Sequence, residues 1–339
     1  MKPGYFILLI FIALIFSGCA QPSVVAPAST TVPAITTAPV STTVPTTTKV
    51  PASTTAPAPP VGDIIRLYYY GPSAVGVDPA TLTGPHCIYS ATSSDGINFT
   101  EDPGVRFSYD TKSNFGITDP DVVRLNDGSW LMFTSLGESL LKAVSPTSSG
   151  TFTRDTTFSW NRGGVPGSHN FDGVIRTFVC YQGGIHMAIY DQKSGTLTDA
   201  GVALASPPSG GIIADPSVIK VGNEYLMFYK YAASPSTPPS EHEIYLATST
   251  DGINWSQHAE NKFIGKGSVP GAVYFNSTIY VYYCGQVFGP GSNPPDFGVA
   301  VSHDNGATFT FSTVTISGKV AAGAADPSAI VVSPVESTP

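Results

Sequence analysis

Three Asp-Pro steps are the places where this chain could do carboxylate chemistry. They are Thr118-Asp119-Pro120-Asp121, Ala214-Asp215-Pro216-Ser217 and Ala325-Asp326-Pro327-Ser328, and each opens a short apolar run. Phe171-Asp172-Gly173-Val174-Ile175 reads as a looser copy, and Val269-Pro270-Gly271-Ala272-Val273 as a further copy that has lost its acid. Brought to one place, Asp119, Asp172, Asp215 and Asp326 would repel one another, which raises some carboxyl pKa values and not others. One protonated and one ionised carboxyl is what acid–base attack on a glycosidic bond requires. The plainer alternative is a repeated strand-entry turn, with each Asp bonding nearby backbone N–H groups. The following Pro is expected to hold each Asp in extended backbone.

Other polar residues are candidates for the same site. His169 precedes Asp172 by three positions, and Lys230 ends an apolar run from which its ammonium could reach a ligand or simply snorkel. Arg124 and Arg176 follow acidic strand openings and could contact substrate or pair with the aspartates. His186 and His242 fall in or beside loops, as do Glu138, Glu241 and Glu243.

A repeat must position these groups. Ser93-Ser94-Asp95-Gly96-Ile97-Asn98-Phe99 returns as Ser249-Thr250-Asp251-Gly252-Ile253-Asn254-Trp255, and again near Ser302-His303-Asp304. Degenerate copies at Ser149-Gly150-Thr151-Phe152 and Ser194-Gly195-Thr196-Leu197 complete a period of about 50 residues. From Ile64 onward, short β-branched and aromatic runs alternate with Gly, Pro, Asn and Asp turns, without a sustained helical period. The reading is all-β: a five-bladed β-propeller with four-stranded blades. Ile64–Tyr70 is a second strand with no first strand before it, and Ala325–Val332 a first strand with nothing after it. The C-terminal strand is therefore predicted to join the N-terminal blade and close the ring, removing open edges. Alternating strands place the Asp-Pro steps on one face with three long loops, about 71–86, 232–242 and 285–297. The Ser-x-Asp turns fall on the other face.

The rest of the chain is organised around export. Residues 1–19 read as a lipoprotein-type signal peptide: Lys2, an apolar run from Tyr5 to Phe16, then Ser17-Gly18-Cys19. That run is too short to span a bilayer. Cys19 is the expected lipidation site, making the protein a cell-surface or membrane-anchored lipoprotein. Residues 20–62, almost entirely Thr, Pro, Ser, Ala and Val, cannot bury enough surface to order themselves and read as a disordered stalk. Extended at about 3.1 Å per residue, it would reach roughly 100 Å. Residues 63–333 are the propeller and 334–339 a tail. The net charge of −8 and 12% charged residues argue against nucleic acid and are compatible with a neutral carbohydrate ligand. Cys87, Cys180 and Cys284 lie in apolar runs, with no metal-ligand spacing. No cofactor or metal is required by the motifs, although Ca²⁺ held by clustered aspartates suits their oxygens.

Five units opened by Asp-Pro-x-Val/Ile and closed by a terminal strand resemble the five-bladed propeller superfamily of glycoside hydrolase families 43, 32 and 68. The Ser-x-Asp-Gly turns resemble the Asp-box of sialidases and other propellers, where they mark the fold. The superfamily resemblance spans roughly residues 64–332. It implies an early first-strand Asp as base or nucleophile (Asp119 or Asp326), a second Asp that orients (Asp172 or Asp215), and a Glu acid from a later unit. No Glu stands at any first-strand start here, and Glu138, Glu241 and Glu243 are the substitutes on the expected face. The expectation is an exported glycosidase acting on a polysaccharide or oligosaccharide. The alternative is a non-catalytic carbohydrate-binding or surface-scaffold propeller.

Overall fold

The computed structural model describes residues 62–72, 86–109, 116–284, 296–320 and 323–333. The signal segment, Cys19, the stalk, the tail and most of two long loops lie outside them.

The described chain is all strand apart from two single 3-10 turns, Pro239–Glu241 and His258–Glu260. In chain order the strands are β1 (Ile64–Pro72), β2 (His86–Ser93), β3 (Asn98–Glu101), β4 (Phe107–Ser108), β5 (Thr118–Arg124), β6 (Trp130–Leu136) and β7 (Ser139–Ser145). There follow β8 (Thr153–Arg154), β9 (Gly164–Phe171), β10 (Val174–Tyr181), β11 (Gly184–Asp191), β12 (Thr196–Leu204), β13 (Ile212–Val221) and β14 (Glu224–Ala232). The last are β15 (Glu243–Ser249), β16 (Lys262–Lys266), β17 (Ser268–Phe275), β18 (Thr278–Cys284), β19 (Phe297–Ser302), β20 (Thr310–Ser317) and β21 (Ala325–Val332).

These strands form four-stranded antiparallel meanders: β5–β8, β9–β12 and β13–β16 each make a separate sheet. A nine-stranded sheet contains two further runs, β17–β20 and β21-β1-β2-β3, joined where β20 pairs in parallel with β3. The C-terminal β21 pairs antiparallel with β1, from Ile64 opposite Val332 to Tyr70 opposite Ala325. The architecture is propeller-like, and its apolar cores lie between successive sheets. Val123, Leu131 and Phe133 of one sheet pack with Ile175, Val179 and Tyr190 of the next. Met227 and Tyr229 meet Phe178 and Met187, while Leu226 and Phe228 on the opposite face meet Ile279 and Val281. Burial on both faces explains why Trp130–Ser135 is buried throughout rather than alternating.

The Ser-x-Asp turns form as hydrogen-bonded caps. Asp95 Oδ1 accepts the Ile97 and Asn98 N–H groups at 2.8 Å, and Ser93 Oγ accepts that of Gly96 at 2.9 Å. Asp251 and Ser249 repeat the pattern, and Asp304 takes the Thr308 N–H. At Asp95 burial is the largest single influence and pushes the carboxyl up, but the hydrogen bonds from Asn98, Ile97 and Ser93 together outweigh it; they hold Asp95 well below the usual carboxylate range, as the turn hydrogen bonds do Asp251 and Asp304. Among the described residues Cys87, Cys180 and Cys284 form no disulfide.

Candidate functional site

The first strand of every meander carries the same local irregularity. The ladder slips at Asp119-Pro120, Asp215-Pro216 and Asp326-Pro327, and equally at Val165-Pro166 and Val269-Pro270. The residue before each Pro is left-handed, with φ of 49° at Asp119, 55° at Val165, 55° at Asp215, 52° at Val269 and 53° at Asp326. The extended backbone expected from the Asp-Pro sequence is therefore not what forms. A bulge takes two residues out of the ladder and re-aims the first side chain. Positive φ is costly for any non-Gly residue and most so for β-branched Val; such strain, of order 1–3 kcal/mol per residue, concentrates at functional sites.

All five X-Pro steps line one narrow cleft of about 30 Å³, joined by Asp121, Ser217 and Ser328. That room suits one or two water-sized groups. Asp119, Asp215 and Asp326 are each at most 9% exposed. Thr118 Oγ1 donates to Asp119 Oδ2 at 2.7 Å, and the Asp119 N–H donates to Asp326 Oδ2 at 3.3 Å. Burial pushes the Asp119 carboxyl up, and the neighbouring Asp215 charge adds to the rise. Asp215 instead forms an ion pair with Lys230, whose Nζ lies 2.5 Å from Oδ2. Burial works against the Lys230 charge, yet the Asp215 carboxylate keeps the ammonium above its ordinary value. The site thus holds a carboxyl pushed to bind its proton more tightly beside one with a dedicated counter-ion.

Asp121 belongs to the cleft, and sequence reasoning passed over it. Burial raises its carboxyl to about 6, with Ser168 hydrogen bonds opposing the rise. Its Oδ2 has no hydrogen-bond partner. The contact with Ser168 has a counterpart two sheets on, where Ser217 Oγ accepts the Ala272 N–H at 2.8 Å. The residue after each of these prolines thus ties one first strand to the next.

Asp172 is not the fourth acid of the cleft. It sits in the β9–β10 turn with its side chain 82% exposed, paired with Lys220 at 3.3 Å. The neighbouring Phe171 ring lies against Gly252 of a Ser-x-Asp turn, so Asp172 belongs to that end of the sheets. The position it was expected to fill is occupied by Val165. The overlooked signal was Gly164-Val165-Pro166-Gly167, which reproduces the Val-Pro-Gly of Val269-Pro270-Gly271 two repeat lengths earlier.

The remaining candidates divide sharply. Lys230 reaches the cleft aspartates. His169 instead packs edge-on against Phe171 at 5.0 Å and Tyr225 at 5.9 Å, and burial lowers it to about 4. Arg176 lies over the Phe171 ring and donates to the Asp251 carbonyl at 2.9 Å. Arg124 is exposed at the end of β5, over Trp130. Glu243, at the start of β15, takes the Tyr245 hydroxyl at 3.3 Å and does not line the cleft, nor do Glu138 and Glu241. His242 is buried between Ser268 Oγ and the Thr237 carbonyl, both at 3.1 Å. His186 pairs opposite Val179 and packs against Tyr181. Among the described residues no group of three or more His, Cys, Asp or Glu is placed to hold a metal ion.

No protein-family model matches this chain, and no curated protein matches its sequence. Solved structures do match in fold. The endo-1,4-β-xylanase of Bacteroides thetaiotaomicron superposes with a TM-score of 0.56 at 14% identity, covering 74% of this chain and 93% of that one. An exo-1,5-α-L-arabinanase from a bovine ruminal metagenomic library gives 0.53 at 13% identity, over 72% and 93%. An α-L-arabinofuranosidase of Clostridium thermocellum gives 0.51 at 17% identity, over 76% and 91%. At these identities the likeness is one of fold.

Proposed function

We propose that this chain is an exported, lipid-anchored, five-bladed propeller that engages a polysaccharide or oligosaccharide at its central cleft and cleaves a glycosidic bond with paired carboxylates. The observation that carries the reading is the difference between Asp119 and Asp215, which line one cleft: burial and the Asp215 charge push the Asp119 carboxyl up, while Asp215 is ion-paired with Lys230. In this reading Asp119, kept protonated by burial and by its acidic neighbour, donates a proton to the leaving oxygen. Ionised Asp215 supports the opposite face of the sugar, with Lys230 holding its charge. Such a division of labour between two carboxyl groups is what glycoside hydrolysis uses. The fold likeness to a xylanase, an arabinanase and an arabinofuranosidase is consistent with it but carries no substrate, since a fold hosts many activities.

The five-bladed, closed-ring reading is supported by cyclic packing of the first strands: β21 touches β5, β5 touches β9, β9 touches β13, β13 touches β17 and β17 touches β21. Export rests on the signal-like start, and the lipid anchor on Cys19.

A second reading, a non-catalytic glycan-binding scaffold, is favoured by Val165 and Val269, which leave two of the five first-strand positions without an acid. The two part on turnover. Aryl-glycosides and plant and microbial polysaccharides are screened for released product, with Asp119→Asn and Asp215→Asn as controls. Hydrolysis is expected from the parent protein and loss of at least about a hundredfold from each variant. Binding without product, unaltered by either change, sinks the hydrolytic reading.

A further inference from the structure

β1 runs through the propeller from one face to the other. Ile65 stands opposite Ser93 at a Ser-x-Asp turn and Ile64 opposite Val332, whereas Tyr70 stands opposite Ala325, next to Asp326 of the cleft. The chain therefore enters the propeller on the face opposite the cleft. In the sheet order β1 lies between β2 and β21 and is antiparallel to both, while β21 ends that sheet and is held by one ladder. Side chains add a second hold just inside the entry. Arg66, 8% exposed, donates from Nε to Asp102 at 3.0 Å and from Nη1 to Ser148 Oγ. The Tyr68 hydroxyl donates to the Ser148 carbonyl at 2.6 Å. Ser148 lies between β7 and β8, so these bonds fasten the entry strand to the neighbouring sheet.

We propose that β1 is a tether strand: it carries the pull between the membrane anchor and a glycan held at the cleft, and Arg66 and Tyr68 spread that pull into the neighbouring sheet. The proposal rests on the lipid-anchored, glycan-engaging reading above. A chain anchored through residues before Ile64 and attached at its cleft is loaded from one face to the other, along the axis of β1. Antiparallel ladder bonds lie perpendicular to the strands they join. A pull along β1 therefore loads both of its ladders together, and they must shear as a set; a pull across it would open them in succession. A strand at the outer end of a sheet, such as β12 beside β11, has one ladder and would peel. Rupture under load is governed by the unfolding rate, so every bond that must break before β1 can slide lengthens the attachment. Val332 leaves on the same face as Ile64, which makes the C-terminus a matched comparison with a single ladder.

Force-clamp measurements on the full-length Cys19→Ser protein, which takes no lipid, provide the test. One handle is coupled at Ser236→Cys, an exposed position in the cleft-face loop between β14 and β15. Cys87 and Cys284 are buried, and burial pushes the Cys180 thiol up to about 12, so the introduced thiol is the one labelled. The second handle is placed at the N-terminus or at the C-terminus. At equal load the N-terminal attachment is expected to last at least about tenfold longer, the scale of one further hydrogen bond in the set that must shear. Tyr68→Phe combined with Ser148→Ala is expected to shorten the N-terminal lifetime by about tenfold and to leave the C-terminal lifetime unchanged. Equal lifetimes from the two ends, or a double variant that shortens both alike, overturns the tether inference and leaves the glycan reading standing. Anchoring of the parent chain is read separately, from the mass of its processed N-terminus in a bacterial host that lipidates exported proteins. A Cys19 without acyl chains overturns the anchor and the tether together, whatever the force records show.

Discussion

The ammonium of Lys230 lies 2.5 Å from Asp215 Oδ2, with the two side chains 14% and 3% exposed. β13 and β14 bring the pair together, since Lys230 is opposite Ala214 in the ladder immediately before the bulge at Asp215. Removing one partner of a buried pair strands the other charge, at about 3–5 kcal/mol. Lys230→Met should lower unfolding free energy by that amount in urea titrations. Adding Asp215→Asn should restore most of the loss. If the single and double variants are equally destabilised, the ion pair is not what matters at this position.

Two buried groups should give the protein opposing pH responses. The Asp121 carboxyl is raised to about 6, so the folded state keeps that proton after the unfolded chain has released it. Its contribution to stability is present below about 4 and is lost as pH rises through 6, roughly 3 kcal/mol in all. His169 is lowered to about 4, by burial first and by Lys220 second. Its contribution is present above about 6.5 and is lost as pH falls through 4. The slopes largely cancel in the parent protein. Between pH 6.5 and 4, acidification should destabilise Asp121→Asn and stabilise His169→Gln. Urea midpoints across this window read both slopes, and variants that track the parent refute the assignment.

Gly167 and Gly271 stand where neighbouring first strands come closest. A Cβ on Gly167 would lie 1.8 Å from the Pro216 carbonyl oxygen, and one on Gly271 2.0 Å from that of Pro327. Both obstacles are backbone and cannot rotate away. Gly167→Ala and Gly271→Ala should each abolish most soluble folded protein or lower the melting temperature by more than about 10 °C. Gly210→Ala should cost far less, because a Cβ there meets nothing within 4 Å and only the φ of 86° opposes it. Comparable losses at all three positions would contradict the close-approach account.

Deleting residues from 323 onward tests the proposed ring closure. It removes β21 and Asp326, exposes the β1 edge, and uncovers Tyr68, which shares a core with Val332 and Val122. The expected product unfolds without a single cooperative transition and aggregates through the open edge. A truncated protein with the parent's melting curve would show that the ring does not depend on its last strand.

Much of the architecture was legible in the chain itself. The repeat of about 50 residues, the strand character and the turn chemistry are local patterns: Asp95 and Asp251 bond amides two and three residues away. Asp119, Asp215 and Asp326 could be assigned to one place because the same Asp-Pro step recurs at the same point of the repeat. Asp172 shows where that reasoning ends. Its sequence resembles a strand opening, but the strand had already begun at Gly164, and Asp172 closes the hairpin that follows. Strand register is set by partners across the sheet, and a slip of a few residues moves a side chain to the opposite end. The left-handed bulges, the contact of Asp119 with Asp326 across 207 residues, the Lys230 partnership and the open valence of Asp121 all arise from that pairing. The amino-acid sequence determined that carboxylates recur at strand openings. Only the tertiary structure decided which of them meet, and which is pushed to hold its proton more tightly, because burial and neighbouring charge exist only once the sheets have packed.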